Sequence, residues 1–521
     1  MRGHLVARLR TALLSALLAV AAPCAPALAL PTRAIVLSGE PVPGLPGQTF
    51  GVVYGYPSAS GYVAISGNTS AGKAGVWLWD ETTGGSPTPV AVPGPAPALS
   101  GLEISRAFVR EMTSSGRLGY QASLTTGAGG VTSFTNTYLG IYDPATAAYS
   151  IVAREGDPAP GIPGHALVLD ALADALPQFN AGGQALFTAV TFGGTPVFGG
   201  GLWRYDPPGV VTPVVTATSD VPAGAGIPNI VDLNDAGEMA YAASTGSVGG
   251  YAIRGPDGAG GTYEVVRTHA LAPGTPSPGV VSWIPGGGSF SLNESGQLAF
   301  SAQLLAGIGD VTTANDWSVW LANGPGDVTI RFREGEAAPG TPPGAVFSDF
   351  DTPDLDAAGR LAFVARLRLG AGGVTNVSDQ GLWGPDGAGG LRLVAREGSP
   401  VPDITGAVWG GIHDAHLGAH GEVLFSASNA GEFGIYLSEP EGDLVPIFRE
   451  GTPVDFGGGD VRTIDSIIQW MPSADVSRVA ITARFTDQSY GLYLVSIPEP
   501  GSGILLAAGI VWLAANRRRG R

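Results

Sequence analysis

The chain has 521 residues, 44% of them hydrophobic, with 81 glycines, 42 prolines and a formal net charge of −17. So large an apolar fraction with only 14% charged residues excludes a disordered chain, and the acidic balance repels phosphate backbones, so no nucleic acid is expected as a partner. Glycine and proline at this level in an apolar chain predict many short strands joined by tight turns.

Residues 1–29 read as an export signal. Arg2, Arg8 and Arg10 form a basic start, residues 11–22 are an apolar run too short to span a bilayer, and Ala27-Leu28-Ala29 is a small-x-small cleavage site. The single cysteine, Cys24, falls inside this segment. The exported chain would then hold no disulfide, and its stability must come from core burial and strand pairing.

Residues 30–496 repeat one pattern. FNAGGQALFTA (179–189), LNDAGEMAYAA (233–243), LNESGQLAFSA (292–302), LDAAGRLAFVA (355–365) and LGAHGEVLFSA (417–427) are clear copies. PSASGYVAISG (57–67), MTSSGRLGYQA (112–122) and SADVSRVAITA (473–483) are decayed ones. The turn glycines stand 54 to 67 residues apart, from Gly61 to Gly421, and such self-similarity marks a repeat architecture. In Asn293-Glu294-Ser295-Gly296, asparagine opens a type I turn and glycine closes it. Leu298, Phe300 and Ala302 then alternate with Ala299 and Ser301. That period of two predicts a strand with large side chains on one face and small ones on the other.

Each unit continues with an aromatic strand, such as GVWLWD (75–80), GLWRYD (201–206), WSVWLA (317–322) or GLWGPD (381–386). A turn follows, twice as GPDGAGG (255–261 and 384–390). No ordered run of oxygen ligands comes after it, so it reads as a hairpin rather than a calcium loop. An outer strand then ends in a recurring phrase: AREGDPAPGIPG (153–164), REGEAAPGTPPG (from Arg333), REGSPVPD (from Arg396) and REGTPVDF (from Arg449). A less regular segment leads into the next turn. Four antiparallel strands in about 60 residues describe a β-propeller blade, all-β overall. The proline phrase would cross from the outer strand back to the axis, with Arg154 and Glu155 pairing to neighbouring blades.

The unit count predicts eight blades, with seven as the alternative. The exported chain opens with an outer-strand phrase, AIVLSGEPVPGLPG (34–47), and ends on an aromatic strand, YGLYLV (490–495), that lacks one. The two ends should pair and close the ring, with residues 35–37 beside residues 492–495, leaving no open edge. The repeat resembles the bacterial families described as NxxGxxAF tandem-repeat proteins, which implies a surface location and no assigned reaction.

Residues 497–521 carry Pro498-Glu499-Pro500, an apolar run (504–515) and Arg517-Arg518-Arg519. Taken alone, the run is a short membrane anchor whose arginines would stay cytoplasmic. The order of parts resembles the PEP-CTERM sorting signal of Gram-negative bacteria. That resemblance implies recognition by an exosortase, transient residence in the inner membrane, removal of the tail, and delivery to the cell surface or an extracellular polysaccharide matrix.

No His-Glu-x-x-His, phosphate loop, Gly-x-Ser-x-Gly elbow or cysteine nucleophile is present. No cofactor is expected, apart from a metal ion at one cluster: His413, His416 and His420 are spaced as candidate ligands. Five residues before the six turn glycines from Gly116 to Gly421 stand Glu111, Gln178, Asp232, Ser291, Asp354 and His416. They should ring one mouth of the central channel, where a cation or sugar hydroxyls would bind. The reading is a non-enzymatic, exported binding or structural protein associated with polysaccharide. Its alternative is an exported polysaccharide hydrolase or lyase working at the channel mouth.

Overall fold

The computed structural model describes residues 32–497 apart from 170–176, 194–197, 217–227, 229, 246–249, 276–278, 285–288, 403, 430 and 456–459. The expected signal peptide and the sorting signal with Pro498, Glu499 and Pro500 lie outside the described residues. Among the described residues no helix is long and apolar enough to cross a membrane.

The described strands form eight separate antiparallel sheets, the eight blades of a β-propeller. Blade 1 runs over residues 50–91, blade 2 over 103–154, blade 3 over 165–216 and blade 4 over 230–267. Blade 5 runs over 281–333, blade 6 over 347–396, blade 7 over 409–449 and blade 8 over 461–496. Chain order within a blade runs from the inner strand to the outer one. In blades 3, 5 and 6 the inner strand is split into two pieces, both paired to the second strand. The last blade is completed by the first strand of the chain: Thr32–Leu37 pairs antiparallel with Tyr490–Ser496, Val36 opposite Leu492 and Thr32 opposite Val495. The ring closes as the sequence predicts, by hydrogen bonds rather than a covalent staple.

The two sequence signatures of each unit meet across one sheet. Phe187 stands opposite Trp203, Phe300 opposite Trp320, and Phe363 opposite Trp383. These rings stack, with Phe300 and Trp320 centroids 5.6 Å apart and planes 1° from parallel. Each such face packs on the smaller Ala, Leu and Val face of the preceding blade; Phe363 and Trp383, for example, cover Ala299, Val319 and Leu321. Every buried ring of this kind is worth about 3–5 kcal/mol against alanine. Blade 2 makes the same contact differently. Gly140 replaces the tryptophan, and a Cβ there would lie 2.5 Å from Tyr120 Cζ. The Tyr120 ring fills the vacancy.

The proline phrase does more than cross back to the axis. Its carbonyls receive the buried indoles of the next blade: Trp77 Nε1 donates to Pro43 O, Trp203 to Pro160 O, Trp320 to Pro273 O and Trp383 to Pro339 O, at 2.9–3.2 Å. Its arginine and glutamate do not pair with each other. The arginine serves its own blade, Arg333 Nε donating to Asn315 O at 2.7 Å and Arg396 Nε to Ser378 O at 2.9 Å. The glutamate links two blades. Glu155 accepts from Thr137 N in blade 2 at 2.9 Å and from Leu169 N at 3.2 Å. Glu450 repeats this with Phe433 N and Ile467 N.

The turn asparagine has an equivalent inter-blade role. Asn180 Nδ2 donates to Asn234 O, Asn234 Nδ2 to Asn293 O, and Asn293 Nδ2 to Asp356 O, at 2.7–3.0 Å. Each amide thus holds the same turn one blade on, while its Oδ1 accepts the backbone N–H four residues later. Aspartate at 356 has no such donor. Arg360, where blades 3, 4, 5 and 7 carry Gln or Glu, supplies it: its guanidinium binds Asp356 and donates to Ala419 O and His420 O of blade 7. Blade 2, with Thr113, uses Arg117 to reach Ala181 O of blade 3. Blade 8, with Ser473, uses Arg478 to reach Ala59 O of blade 1.

Replacing Arg360→Gln alone should therefore release the exposed Ala419 and His420 carbonyls to water, leave the buried Asp356 carboxylate without its guanidinium, and destabilise the protein by about 1–3 kcal/mol. Adding Asp356→Asn should restore most of that loss. Thermal denaturation of both single variants and the double decides it; additive losses in the double would overturn the exchange.

Candidate functional site

The turns that end the inner strands converge over the axis at one end of the ring. Residues from six blades line a single hollow there of about 480 Å³, including Ser114, Asp235, Glu294, Asp354, His416 and Asp475. The tips touch across the ring: Ser114 Oγ of blade 2 donates to Asp235 Oδ2 of blade 4 at 2.5 Å, and Asp235 N donates to Glu294 Oε2 at 2.9 Å. A second hollow of about 720 Å³ shares His416 and Met471 and is lined by Asp351, Gln380, His413, Asp414 and Trp470.

Of the residues expected at the mouth, Ser291, Asp354 and His416 line the first hollow together. Ser291 Oγ donates to Asp354 Oδ1 at 3.2 Å. Glu111 and Asp232 lie within electrostatic reach of each other, as do Asp232 and Asp354. Gln178 sits at the equivalent strand end of blade 3, opposite Leu186. The three carboxylates alternate around the ring, on blades 2, 4 and 6, and each clasps the following blade. Glu111 Oε2 accepts from Phe179 N at 2.5 Å, Asp354 Oδ2 accepts from Leu417 N at 2.8 Å, and Asp232 accepts from the Leu292 backbone. Asp354 Oδ1 also takes the Leu355 N–H at 2.8 Å, so both its oxygens are committed to protein donors.

Charge at these positions is costly. Glu111 keeps only partial access to the lumen, and burial, reinforced by the Asp232 and Asp235 charges, pushes its carboxyl up to about 8. Burial likewise raises Asp232 to about 6, against hydrogen bonds from Leu233 and Leu292. His416 is pushed below its ordinary value by burial, opposed by the charges of Asp354 and Asp414.

The three histidines do not come together as a metal set. His413 stacks on Phe433 with centroids 5.9 Å apart, and His416 meets Trp470 edge-on at 5.2 Å. His420 is exposed on the turn, its carbonyl held by Arg360. Two bulges in Trp409–Leu417 break the regular alternation between the first two. Among the described residues no group of three His, Cys, Asp or Glu side chains is placed to hold a metal ion.

Asp235 and Glu294, both in the hollow, were not among the expected site residues. Their signal is the position after the turn asparagine, where the aligned units read Ser114, Ala181, Asp235, Glu294, Ala357 and Ala419. Only two of these are acidic, on adjacent blades, and they meet at the axis.

Ring and mouth together define an eight-bladed propeller with an axial hollow lined from six blades. The chain belongs to the family described as a family of unknown function, DUF7453, whose model matches residues 29–222 and again residues 217–504. No curated protein matches it. Solved structures similar to it include the polysaccharide lyase Uly1, 10% identical, covering 89% of this chain and 98% of that one at a TM-score of 0.35. Prolyl oligopeptidase B from Galerina marginata is 10% identical, with 84% of this chain and 56% of that one covered at a TM-score of 0.37. A protein from Lactobacillus plantarum is 12% identical, with 74% and 97% covered at a TM-score of 0.27. Likenesses at these scores carry no argument about chemistry.

A carboxyl raised in the folded state stabilises below its unfolded value, and that contribution is lost as pH rises through the folded value. For Glu111 the loss spans about 4.5 to about 8. Glu111→Gln, which keeps an oxygen for Phe179 N, should remove this slope. The variant's melting temperature should gain about 1–3 °C on the parent protein at pH 9 relative to pH 5. An unchanged difference between the two pH values would mean Glu111 ionises normally.

Proposed function

We propose that this is an exported protein of the cell surface or extracellular matrix that binds polysaccharide at the axial hollow and does not turn it over. Residues 1–29 would direct export. Residues 497–521, through Pro498-Glu499-Pro500, would be read by an exosortase after a transient stay in the inner membrane. Support for the sorting step is the order of motif, apolar run and arginines in the sequence.

One observation carries the binding reading. The mouth gathers short polar side chains from six blades around a space suited to a few sugar rings, with His416 on its wall and Trp470 in the adjoining hollow that shares His416. Asp354, a carboxylate on the wall of this hollow, has both oxygens bound to protein donors. Such a group orients its neighbours and is poorly placed to exchange a proton with substrate.

The rival, a hydrolase or lyase at the same mouth, is favoured by Glu111, whose carboxyl near neutrality could hold a proton for a leaving group. A glycan array combined with a turnover screen separates the two. Binding without product, weakened at least tenfold by His416→Ala or Glu294→Gln, is the expected outcome. Product release that disappears in Glu111→Gln would establish the enzyme instead.

A further inference from the structure

A second site lies on the side of the ring, between blades 3 and 4. The third-strand position opposite the large apolar residue of the second strand (Phe187, Phe300, Phe363 and Phe425, or Ile65 and Ile481) holds Trp77, Trp203, Trp320, Trp383, Tyr436 or Tyr493 in six blades. In blade 4 that register position, opposite Tyr241, is Arg254. Its outer-strand partner is changed as well. Pro89, Pro213, Ile330, Leu393 and Pro446 stand there in blades 1, 3, 5, 6 and 7, and Glu264 in blade 4. A charged pair has replaced an apolar pair at a core position, which a blade would not choose for stability.

The packing registers the exchange. The space left is a groove of about 580 Å³ floored by Met239 and Tyr241. Among the described residues Arg204, Arg254 and Arg267 line it with one carboxylate, Glu264. That surplus of positive charge sits in a chain of net charge −17. Glu264 is already taken by Arg267, whose Nε donates to both its oxygens at 3.0 Å. Arg204 pairs with Asp206 at 3.0 Å. Arg254 donates only to Thr262, through Nε at 3.2 Å and Nη2 at 2.9 Å, and among the described residues it has no carboxylate partner.

We infer that this groove binds a carboxylate-bearing saccharide, a uronate chain of two or three units, with Arg254 meeting the carboxylate. A planar guanidinium matches a carboxylate in two parallel hydrogen bonds. Thr212 supplies a hydroxyl partner on the exposed wall, and the Met239 and Tyr241 floor suits the apolar face of a sugar ring. The site is separate from the axial hollow and does not rest on the reading given to it.

Calorimetric titration of the purified protein with a galacturonate trimer, and with the same trimer after reduction of its carboxylates, tests this. The acid should bind, the neutral trimer should bind at least tenfold more weakly, and 0.5 M salt should weaken the acid further. Arg254→Gln should cost at least tenfold. Thr212→Glu, an exposed substitution that sets a repelling charge on the groove wall, should do the same and is independent of any folding defect at position 254. No binding of the acid trimer, equal binding of both trimers, or full affinity in Thr212→Glu would overturn the inference. So would loss of binding in His416→Ala, which would move the ligand to the axis.

Discussion

A ring of separate sheets keeps its shape only if each sheet is fixed to the next near the axis, where the inner strands have the least area to share. Here that fixing is one hydrogen bond repeated in six of the eight blades: a side-chain donor on the inner turn reaching a backbone carbonyl of the following turn. Asparagine provides it in blades 3, 4 and 5, and an arginine four or five residues later provides it in blades 2, 6 and 8. The aromatic cores farther out supply more energy, yet they are non-directional and would tolerate a slip. Where asparagine provides it the donor and acceptor are both buried, so leaving either unmatched is expensive, and this specifies register as the greasy contacts cannot.

The same logic explains the outer connections. A phrase that leaves one blade, accepts the indole of the next on its proline carbonyl, and lends a buried glutamate to backbone N–H groups on both sides is a structural joint. The glycine after that glutamate belongs to the joint. Gly156 has a φ of 88° and would set a Cβ 2.7 Å from Thr135 Cγ2, a conformation and a proximity only glycine accepts without strain.

Much of this could be read before any coordinates. The alternation Leu298, Phe300, Ala302 has a period that only a strand satisfies, and the complementary loose ends at residues 34–47 and 490–495 required closure. The direction of the polar side chains was not legible. Asp354 looks the same in sequence whether it faces a ligand or the Leu417 N–H, because the choice depends on a neighbour more than 60 residues away. The histidine cluster failed for a related reason: spacing along a chain does not report bulges, and two of them lie in Trp409–Leu417. Arg254 was visible and overlooked. WGPDGAGG (383–390) and RGPDGAGG (254–261) differ at a single letter, and that letter is the one the core depends on.

The closing strand has a geometric corollary. Thr32 lies opposite Val495, and the Ile497 N–H reaches Ser477 O in the inner turn of blade 8. Both ends of the described chain therefore emerge on the rim that surrounds the axial hollow. Anything joined to either end, whether a lipid-embedded tail, a fusion partner or a resin, grips the disc from that side and leaves the proline-bearing underside pointing outward. Immobilising the protein by its ends would shade the hollow, whereas the groove between blades 3 and 4, on the circumference, would stay open to the surroundings.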